Sequence, residues 1–166
     1  MSRDVIKEFH EASKRGDYDK AKNLLSQEKE IIVKHLDEND SLLRAVNDEN
    51  LRIVILMLKL GVNANKKERF FSRTTPFLWA CAKGSFPIAK LLLENGADID
   101  TIIKHPNWTP TALHTAVGYQ KAAIAKLLLE NGCKTGVRNQ KGLTEIEKAL
   151  EKGYVGIVKL VAFHDK

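Results

Sequence analysis

The chain contains the same nine-residue string twice. Ile-Ala-Lys-Leu-Leu-Leu-Glu-Asn-Gly occupies residues 88–96 and occurs again at residues 124–132, an offset of 36 residues. Duplication of nine letters by chance is very improbable in a chain of 166 residues. A fixed offset in the thirties instead predicts a repeat architecture, in which each unit buries its apolar face against its neighbours. Such folds usually act through an extended surface and seldom build a buried catalytic pocket.

The two copies belong to a longer common unit. Thr-Pro-Phe-Leu-Trp-Ala-Cys-Ala-Lys-Gly precedes the first copy, and Thr-Ala-Leu-His-Thr-Ala-Val-Gly-Tyr-Gln precedes the second. Gly-Ala-Asp-Ile-Asp ends the first unit, and Gly-Cys-Lys-Thr-Gly ends the second. This pattern resembles the ankyrin repeat, whose consensus runs T-P-L-H-x-A-A-x-x-G and continues into an apolar helix ending in L-L-L-x-x-G-A-D-x-N. The resemblance implies an all-α ankyrin-repeat solenoid of stacked antiparallel helix pairs joined by hairpin-like loops.

Weaker matches extend the same register over the whole chain. One alanine anchors each unit, and successive anchors are 33, 35, 36 and 33 residues apart; they are Ala12, Ala45, Ala80, Ala116 and Ala149. We therefore expect a single domain covering residues 1–166. Its approximate repeats are 1–36, 37–70, 71–106, 107–139 and 140–166. The two central repeats match closely, and the outer ones are degenerate, as expected where a terminal unit faces solvent.

Residue types at the ends of the expected helices predict their boundaries. Thr75 followed by Pro76 predicts a helix start, because threonine caps the first turn and proline has no N–H to leave unbonded. Thr144 and Glu147 have the spacing of a capping box, in which two backbone N–H groups are satisfied reciprocally.

Three places depart from the regular pattern. Glu49 and Gln120 stand where other repeats have glycine between the paired helices, so those turns should be less favourable. Thr109 and Thr111 are rival helix starts, and the proline between them favours a cap at Thr109 and a slightly longer helix. Residues 26–39 lack the Gly-Ala-Asp ending, so an extended helix is an alternative to a hairpin there.

Charge is distributed unevenly along the chain. The net charge is +6, yet residues 1–50 carry 9 Lys and Arg against 12 Asp and Glu, and residues 51–166 carry 18 against 9. The basic C-terminal two-thirds could attract acidic proteins, phospholipid headgroups or nucleic acid, although a lysine-rich solvated surface is the simpler interpretation. No apolar run is long enough for a transmembrane segment, and no secretory signal pattern is present. We expect a cytoplasmic protein, or one in a host cytosol if it is a secreted effector.

Residues that could carry chemistry are few and scattered. The resemblance implies that His114, the motif histidine, hydrogen-bonds backbone in a neighbouring loop. Cys81 and Cys133 have no predicted adjacent base and fit positions for small packed residues. The sequence shows no P-loop, Rossmann fingerprint or zinc-ligand spacing. We therefore expect no enzymatic activity, no cofactor and no metal site.

Binding of a partner protein or peptide is the function that the resemblance implies. Partners of ankyrin repeats bind the concave face, which hairpin tips and the exposed side of each first helix build. Carried over by position, the partner-binding candidates are Arg69, Phe71, Arg73, Trp79, Lys83, Ile102, Ile103, His105, Trp108, Thr115, Tyr119, Arg138, Lys148 and Lys152. We expect the chain to be a monomer. We also expect its partner to be acidic if the basic part of the chain takes part in binding. Nucleic acid and phospholipid are less favoured, and an effector or inhibitor acting on a partner enzyme is a further alternative.

The aromatic and apolar candidates are open to two interpretations. Trp79 and Tyr119 fall on neighbouring first helices and, with Arg69, Arg73 and Lys83 nearby, could form an aromatic-basic binding patch. Five surplus hydrophobic residues of the loops either bind the partner or fold back to seal gaps between hairpins; they are Phe70, Phe71, Ile102, Ile103 and Trp108.

Overall fold

A computed structural model describes residues 2–27, 29–38, 40–68, 74–102, 111–139 and 141–164, which form eleven α-helices and no strand. The helices are α1 (Ser2–Arg15), α2 (Tyr18–Gln27), α3 (Lys29–Glu38), α4 (Ser41–Asn47), α5 (Leu51–Lys59), α6 (Pro76–Lys83), α7 (Phe86–Glu94), α8 (Ala112–Gly118), α9 (Ala122–Glu130), α10 (Glu145–Glu151) and α11 (Val155–His164). The predicted all-α class is confirmed.

The helices form two rows. The first-helix row consists of α4, α6, α8 and α10, each packed on the next, and the second-helix row consists of α5, α7, α9 and α11 in the same order. Each first helix also packs on the second helix that follows it in the chain. At the N-terminal end α1 pairs with α2, and α3 contacts α1, α2 and α4. This arrangement is the stacked solenoid of helix pairs that the sequence predicts.

One continuous apolar core runs through the stack from α1 to α11. The duplicated string supplies equivalent parts of it: Ile88 and Leu92 in α7, and Ile124 and Leu128 in α9, are each at most 1% exposed. Residues four apart lie on one side of a helix, so each pair faces the core together. The anchor alanines are buried as well, and their small side chains allow neighbouring helices to approach closely.

The predicted helix starts at Thr75 and Thr144 are confirmed. The Thr75 hydroxyl accepts the Leu78 N–H at 3.2 Å, with Pro76 in the first turn. The Thr144 hydroxyl accepts the Glu147 N–H at 3.3 Å, and the Glu147 carboxylate accepts the Thr144 N–H at 2.7 Å, which completes the capping box. These bonds satisfy backbone donors that the first turn of a helix leaves without an intrahelical partner.

The prediction of a helix cap at Thr109 is wrong. Helix α8 begins at Ala112, and the Thr111 hydroxyl accepts the His114 N–H at 3.1 Å. The same hydroxyl lies 2.9 Å from Nδ1 of His114, so a start at Thr111 satisfies a backbone and a side-chain group together. Thr109 itself lies outside the described residues. In the other ambiguous stretch, residues 29–38 form a separate helix, α3, so the stretch is helical instead of a hairpin but does not extend α2, which ends at Gln27.

The turns between paired helices adopt left-handed backbone conformations whether or not they contain glycine. Gly84 has φ 80°, while Glu49 and Gln120 have φ 52° and 55° at the equivalent turns, as predicted. A Cβ at position 84 would also lie 2.6 Å from Cδ of Lys121, so the flexible lysine side chain would have to move. A residue with a Cβ pays roughly 1–2 kcal/mol for this conformation, so the turns at Glu49 and Gln120 are strained.

Replacing Gln120 by glycine should raise the free energy of unfolding by about 1 kcal/mol, because glycine adopts a positive φ without a steric penalty. Gln120→Ala is the matched control, since it removes the same side chain but keeps the Cβ, and it should bring no gain. Urea unfolding followed by far-UV circular dichroism measures both variants. An equal gain for alanine would show that the backbone conformation is not the cause.

Candidate functional site

Equivalent residues of successive first helices form two parallel lines. In α4, α6, α8 and α10 the residue before the anchor alanine is Arg44, Trp79, Thr115 or Lys148, and the third residue after it is Asp48, Lys83, Tyr119 or Lys152. Within a repeat these two positions are four residues apart, so they share one side of the helix. We call these eight residues the first-helix face.

Two aromatic side chains are exposed on the first-helix face. Trp79 in α6 is 37% exposed, and Tyr119, at the end of α8, is 58% exposed. These helices pack on each other, so the two aromatic residues belong to adjacent units of the row. Nε1 of Trp79 donates to Oδ1 of Asn47 at 3.1 Å, and Asn47 ends α4. The indole is therefore oriented by the preceding repeat before any partner binds.

Lys83, predicted to contact a partner, is engaged inside the repeat array. Its Nζ donates to the backbone carbonyl of Asn47 at 2.8 Å and lies 3.4 Å from the Glu49 carboxylate. Because Asn47 is the last residue of α4, the ammonium also lies at the negative end of the dipole of that helix. The first role of Lys83 is thus to join α6 to α4.

The side chains of Lys148 and Thr115 also form hydrogen bonds to backbone carbonyls within the repeat array. Nζ of Lys148 donates to the His114 carbonyl at 3.1 Å, and burial, followed by the charges of Lys152 and Lys141, lowers the pKa of Lys148. Thr115 is only 4% exposed, and its hydroxyl donates to the Thr111 carbonyl at 3.0 Å. The expected accessibility of Thr115 is therefore corrected: its short side chain bonds back onto its own helix.

The other sequence-predicted residues divide into an exposed set and a set that the structure does not describe. Ile102, Arg138 and Lys152 are exposed. The Arg138 guanidinium donates to the Gly142 carbonyl and lies 3.2 Å from the Glu147 carboxylate. Six predicted residues lie outside the described residues: Arg69, Phe71, Arg73, Ile103, His105 and Trp108.

A shallow cleft opens beside Trp79, and Trp79 alone among its lining residues belongs to the partner-binding candidates predicted from the sequence. Helix α4 supplies part of its wall, and the connection between α5 and α6 supplies another part. The lining residues are Leu43, Arg44, Asn47, Glu68, Thr74 and Trp79. Arg44 occupies the position of Trp79 one repeat earlier, so the repeat register was a signal that could have identified it.

The motif histidine has a structural role, as predicted. Nε2 of His114 lies 3.2 Å from the Leu143 carbonyl, and Nδ1 lies 2.9 Å from the Thr111 hydroxyl and 3.3 Å from the Glu145 carboxyl group. Because a carbonyl only accepts, Nε2 carries the proton of the neutral ring and Nδ1 accepts from Thr111. Burial lowers the pKa of His114 most, the Leu143 carbonyl opposes this change, and the charge of Lys148 adds to it.

The remaining reactive groups are inert or dispersed. Cys81 is fully buried, and burial raises the pKa of its thiol far above the ordinary value, which disfavours the nucleophilic thiolate. Cys133 is buried as well. In the part of the chain that the structure describes, no group of three or more His, Cys, Asp or Glu residues could hold a metal ion. None of the described helices combines the length and apolar character needed to cross a membrane.

Comparison with known proteins places this fold in a family. The sequence model described as "Ankyrin repeats (3 copies)" matches residues 9–103, and that described as "Ankyrin repeat" matches residues 111–140. The chain belongs to the ankyrin repeat family. Ankyrin repeats form protein–protein interaction modules and are generally non-catalytic scaffolds.

Proteins similar in sequence to this chain come from different organisms. An ankyrin repeat protein of Fowlpox virus (strain NVSL) is 34% identical over 117 residues, which cover 69% of this chain and 33% of that protein. Alpha-latrotoxin-Lg1a of Latrodectus geometricus is 30% identical over 116 residues, 70% of this chain and 8% of the toxin. An ankyrin repeat protein of Acanthamoeba polyphaga mimivirus is 28% identical over 145 residues, 86% of each chain. The chain thus spans a third or less of the first two relatives.

The free energy of unfolding should fall as the pH drops through about 6.5. Burial lowers the pKa of His114 in the folded state below its ordinary value of 6.5, so the unfolded chain binds this proton more tightly and acid favours unfolding. One such group contributes a slope of at most about 1.4 kcal/mol per pH unit.

Urea unfolding of the wild type and of His114→Gln at about pH 7.5 and about pH 5.5 measures this dependence. The variant should be less stable at the higher pH and lose less stability on acidification. His10, whose pKa burial also lowers, leaves a residual slope in both proteins. Equal pH dependence in the two proteins would contradict the assignment to His114.

Proposed function

We propose that the chain is a non-catalytic module that binds a partner protein through the first-helix face, with Trp79 and Tyr119 as the principal contacts. The observation that carries this proposal is the exposure of two aromatic side chains on adjacent first helices. Tryptophan and tyrosine are enriched at binding hot spots, because they bury a large area while losing few rotamers.

The orientation of Trp79 supports this role. Its indole N–H is already bonded to Asn47, so a partner meets a ring whose direction is set and whose apolar surface remains accessible. Lys83 holds the end of α4 on which Asn47 lies, through the bond from its ammonium to the Asn47 carbonyl. A side chain that is ordered before binding loses less conformational entropy in the complex, which increases affinity.

The charge of the first-helix face favours an acidic partner. Four of its eight residues are cationic and one is acidic: Arg44, Lys83, Lys148 and Lys152 against Asp48. Two of these cations, Arg44 and Lys152, are exposed and form no ion pair within the described residues. Complementary charge accelerates the encounter of two proteins and disfavours partners of the wrong sign.

Binding of nucleic acid or phospholipid has less support. Four cations of the basic region outside the first-helix face already have carboxylate partners: Lys90 with Glu94, Lys126 with Glu130, Lys134 with Asp100 and Arg138 with Glu147. Neutralising a polyanion requires several cations on one surface, and these pairs reduce the charge that would serve. The uneven charge of the chain is thus partly balanced locally.

Trp79→Ala and Tyr119→Ala should each weaken binding of the partner at least about tenfold, because truncating a central aromatic removes much of the contact energy. The partner is first recovered by affinity purification on the full chain with mass spectrometry, and its affinity is then measured by titration calorimetry with each variant.

Phe86→Ala is the matched control for these variants. Phe86 is 41% exposed, similar to Trp79, but it lies on α7 in the second-helix row. This variant should bind like the wild type, and circular dichroism should show that all three variants remain folded. Unchanged affinity in both Trp79→Ala and Tyr119→Ala, or equal loss in Phe86→Ala, would refute the proposed surface.

A further inference from the structure

A second cleft lies at the N-terminal end of the array, between α1 and α4. Helix α3 packs against both of these helices, and α5 supplies part of the wall of the cleft. The cleft has a volume of about 190 Å³, several times the roughly 30 Å³ that one water molecule occupies in the liquid. It can therefore hold a group the size of a small side chain.

The side chains that line the cleft carry one net positive charge. Lys7, Lys14 and Arg44 are the cations, and Glu11 and Asp48 are the acids. Within the described residues none of the three cations forms an ion pair. The excess of cations gives the recess a positive potential, which would stabilise a bound anion.

His10 also lines the cleft and responds to this positive potential. Its ring meets that of His35 on α3 edge-on, with the ring centroids 5.6 Å apart. Burial lowers the pKa of His10 most, and His35, Arg44 and Lys14 lower it further. Every charged neighbour that acts on the imidazole thus disfavours a further positive charge.

Two hydroxyl groups in the same cleft have no hydrogen-bond partner among the described residues. Ser41 is only 2% exposed, and its Oγ makes no hydrogen bond; Oγ of Ser13 is in the same situation. A buried hydroxyl that has left water without gaining a partner destabilises the protein. Because both Oγ atoms are buried, a change in the χ1 rotamer of the serine is needed to turn its hydroxyl toward an acceptor in the cleft, which would then satisfy it.

We propose that this cleft binds a single carboxylate, with its oxygens near Lys14, Arg44 and the Ser41 hydroxyl. The carbon chain of the ligand lies against Ile53 and Met57, which form an apolar wall. The inference deepens the proposed function and rests on it in one respect, since the source of the carboxylate is then an Asp or Glu side chain of the partner protein.

Two features favour a carboxylate over a phosphate. The single net positive charge matches a ligand with one negative charge, while Glu11 and Asp48 would repel a dianion. The wall formed by Ile53 and Met57 fits the methylene groups that join a carboxylate to a peptide backbone, and phosphate has no such groups.

The first test uses the full chain and three small probes, followed by nuclear magnetic resonance. N-acetylglutamate α-amide should produce saturable shifts confined to residues 7–14 and 41–57, and it should raise the pKa of His10, because a bound negative charge stabilises the imidazolium. N-acetylglutamine α-amide is the neutral control and should produce none. Inorganic phosphate at equal ionic strength should bind more weakly than the glutamate derivative. Tighter binding of phosphate, or unsaturable shifts over the whole basic surface, would overturn the proposal.

A peptide with one glutamate between neutral residues then distinguishes the two sources of the carboxylate. Shifts at the same residues with higher affinity than the glutamate derivative identify a partner side chain as the ligand. No binding of the peptide, with binding of the free derivative retained, overturns the partner side chain as the source and identifies a small free carboxylate instead.

Four variants separate this cleft from the rest of the surface. Lys14→Gln should weaken binding of the glutamate derivative about tenfold, through loss of one charge-assisted contact, and Ser41→Ala should weaken it to a smaller extent. Lys159→Gln is the control for loss of charge, since it removes an exposed lysine of α11 from the second-helix row at the other end of the array. Equal weakening in Lys159→Gln, or none in Lys14→Gln and Ser41→Ala, contradicts the site. Trp79→Ala should leave binding of the derivative unchanged, so failure of the cleft and failure of the Trp79 surface give different results.

Discussion

The structure depends on the burial of each helix pair against its neighbours. No single pair can bury its apolar residues alone, because the leucine-rich second helices carry core residues for both the partner helix and the next unit. Leu92 and Leu128, equivalent residues of the duplicated string, are fully buried on successive second helices. Since this packing uses the second helices and the anchor alanines, the outward side of the first helices is released from the core and can differ from repeat to repeat.

Polar side chains reinforce the same nearest-neighbour order. The Asn65 side chain donates to the Gly96 carbonyl at 2.8 Å and accepts the Asp98 N–H at 2.7 Å, while the Asp100 carboxylate accepts the Lys134 N–H at 2.8 Å. Each of these bonds joins loops that are about one repeat apart in the chain. They satisfy backbone N–H and C=O groups of the loops, which take no part in helical hydrogen bonds. They also set the register between units. Lys83 and Lys148 do the same on the first-helix row, where each reaches a carbonyl of the preceding first helix.

These hydrogen bonds from one repeat to the preceding repeat explain which parts of the site could be predicted from the sequence. Caps, left-handed turns and core positions follow from local chemistry, and Thr75, Thr144, Glu49 and Gln120 behave as their positions predict. A register also places a residue on the first-helix face, but it does not reveal whether a long side chain points outward or toward a neighbouring carbonyl. Lys83 therefore looked available in the sequence and is largely engaged in the structure. The predicted helix cap at Thr109 was wrong for a similar reason. The Thr111 hydroxyl, which caps the helix instead, also bonds the side chain of His114, and the local pattern of residues did not reveal that bond.

Arg44 connects the two proposed binding regions. It lines the shallow cleft beside Trp79 and also the cleft between α1 and α4, so the two regions share a wall. A partner segment that places an acidic side chain in the second cleft would reach Trp79 after crossing Arg44. Two linked contacts raise affinity more than either alone, because the second forms at a high effective concentration once the first is made. The first-helix face would thus recognise both the charge and the spacing of an acidic and an apolar group in one partner, a form of specificity that neither region supplies by itself.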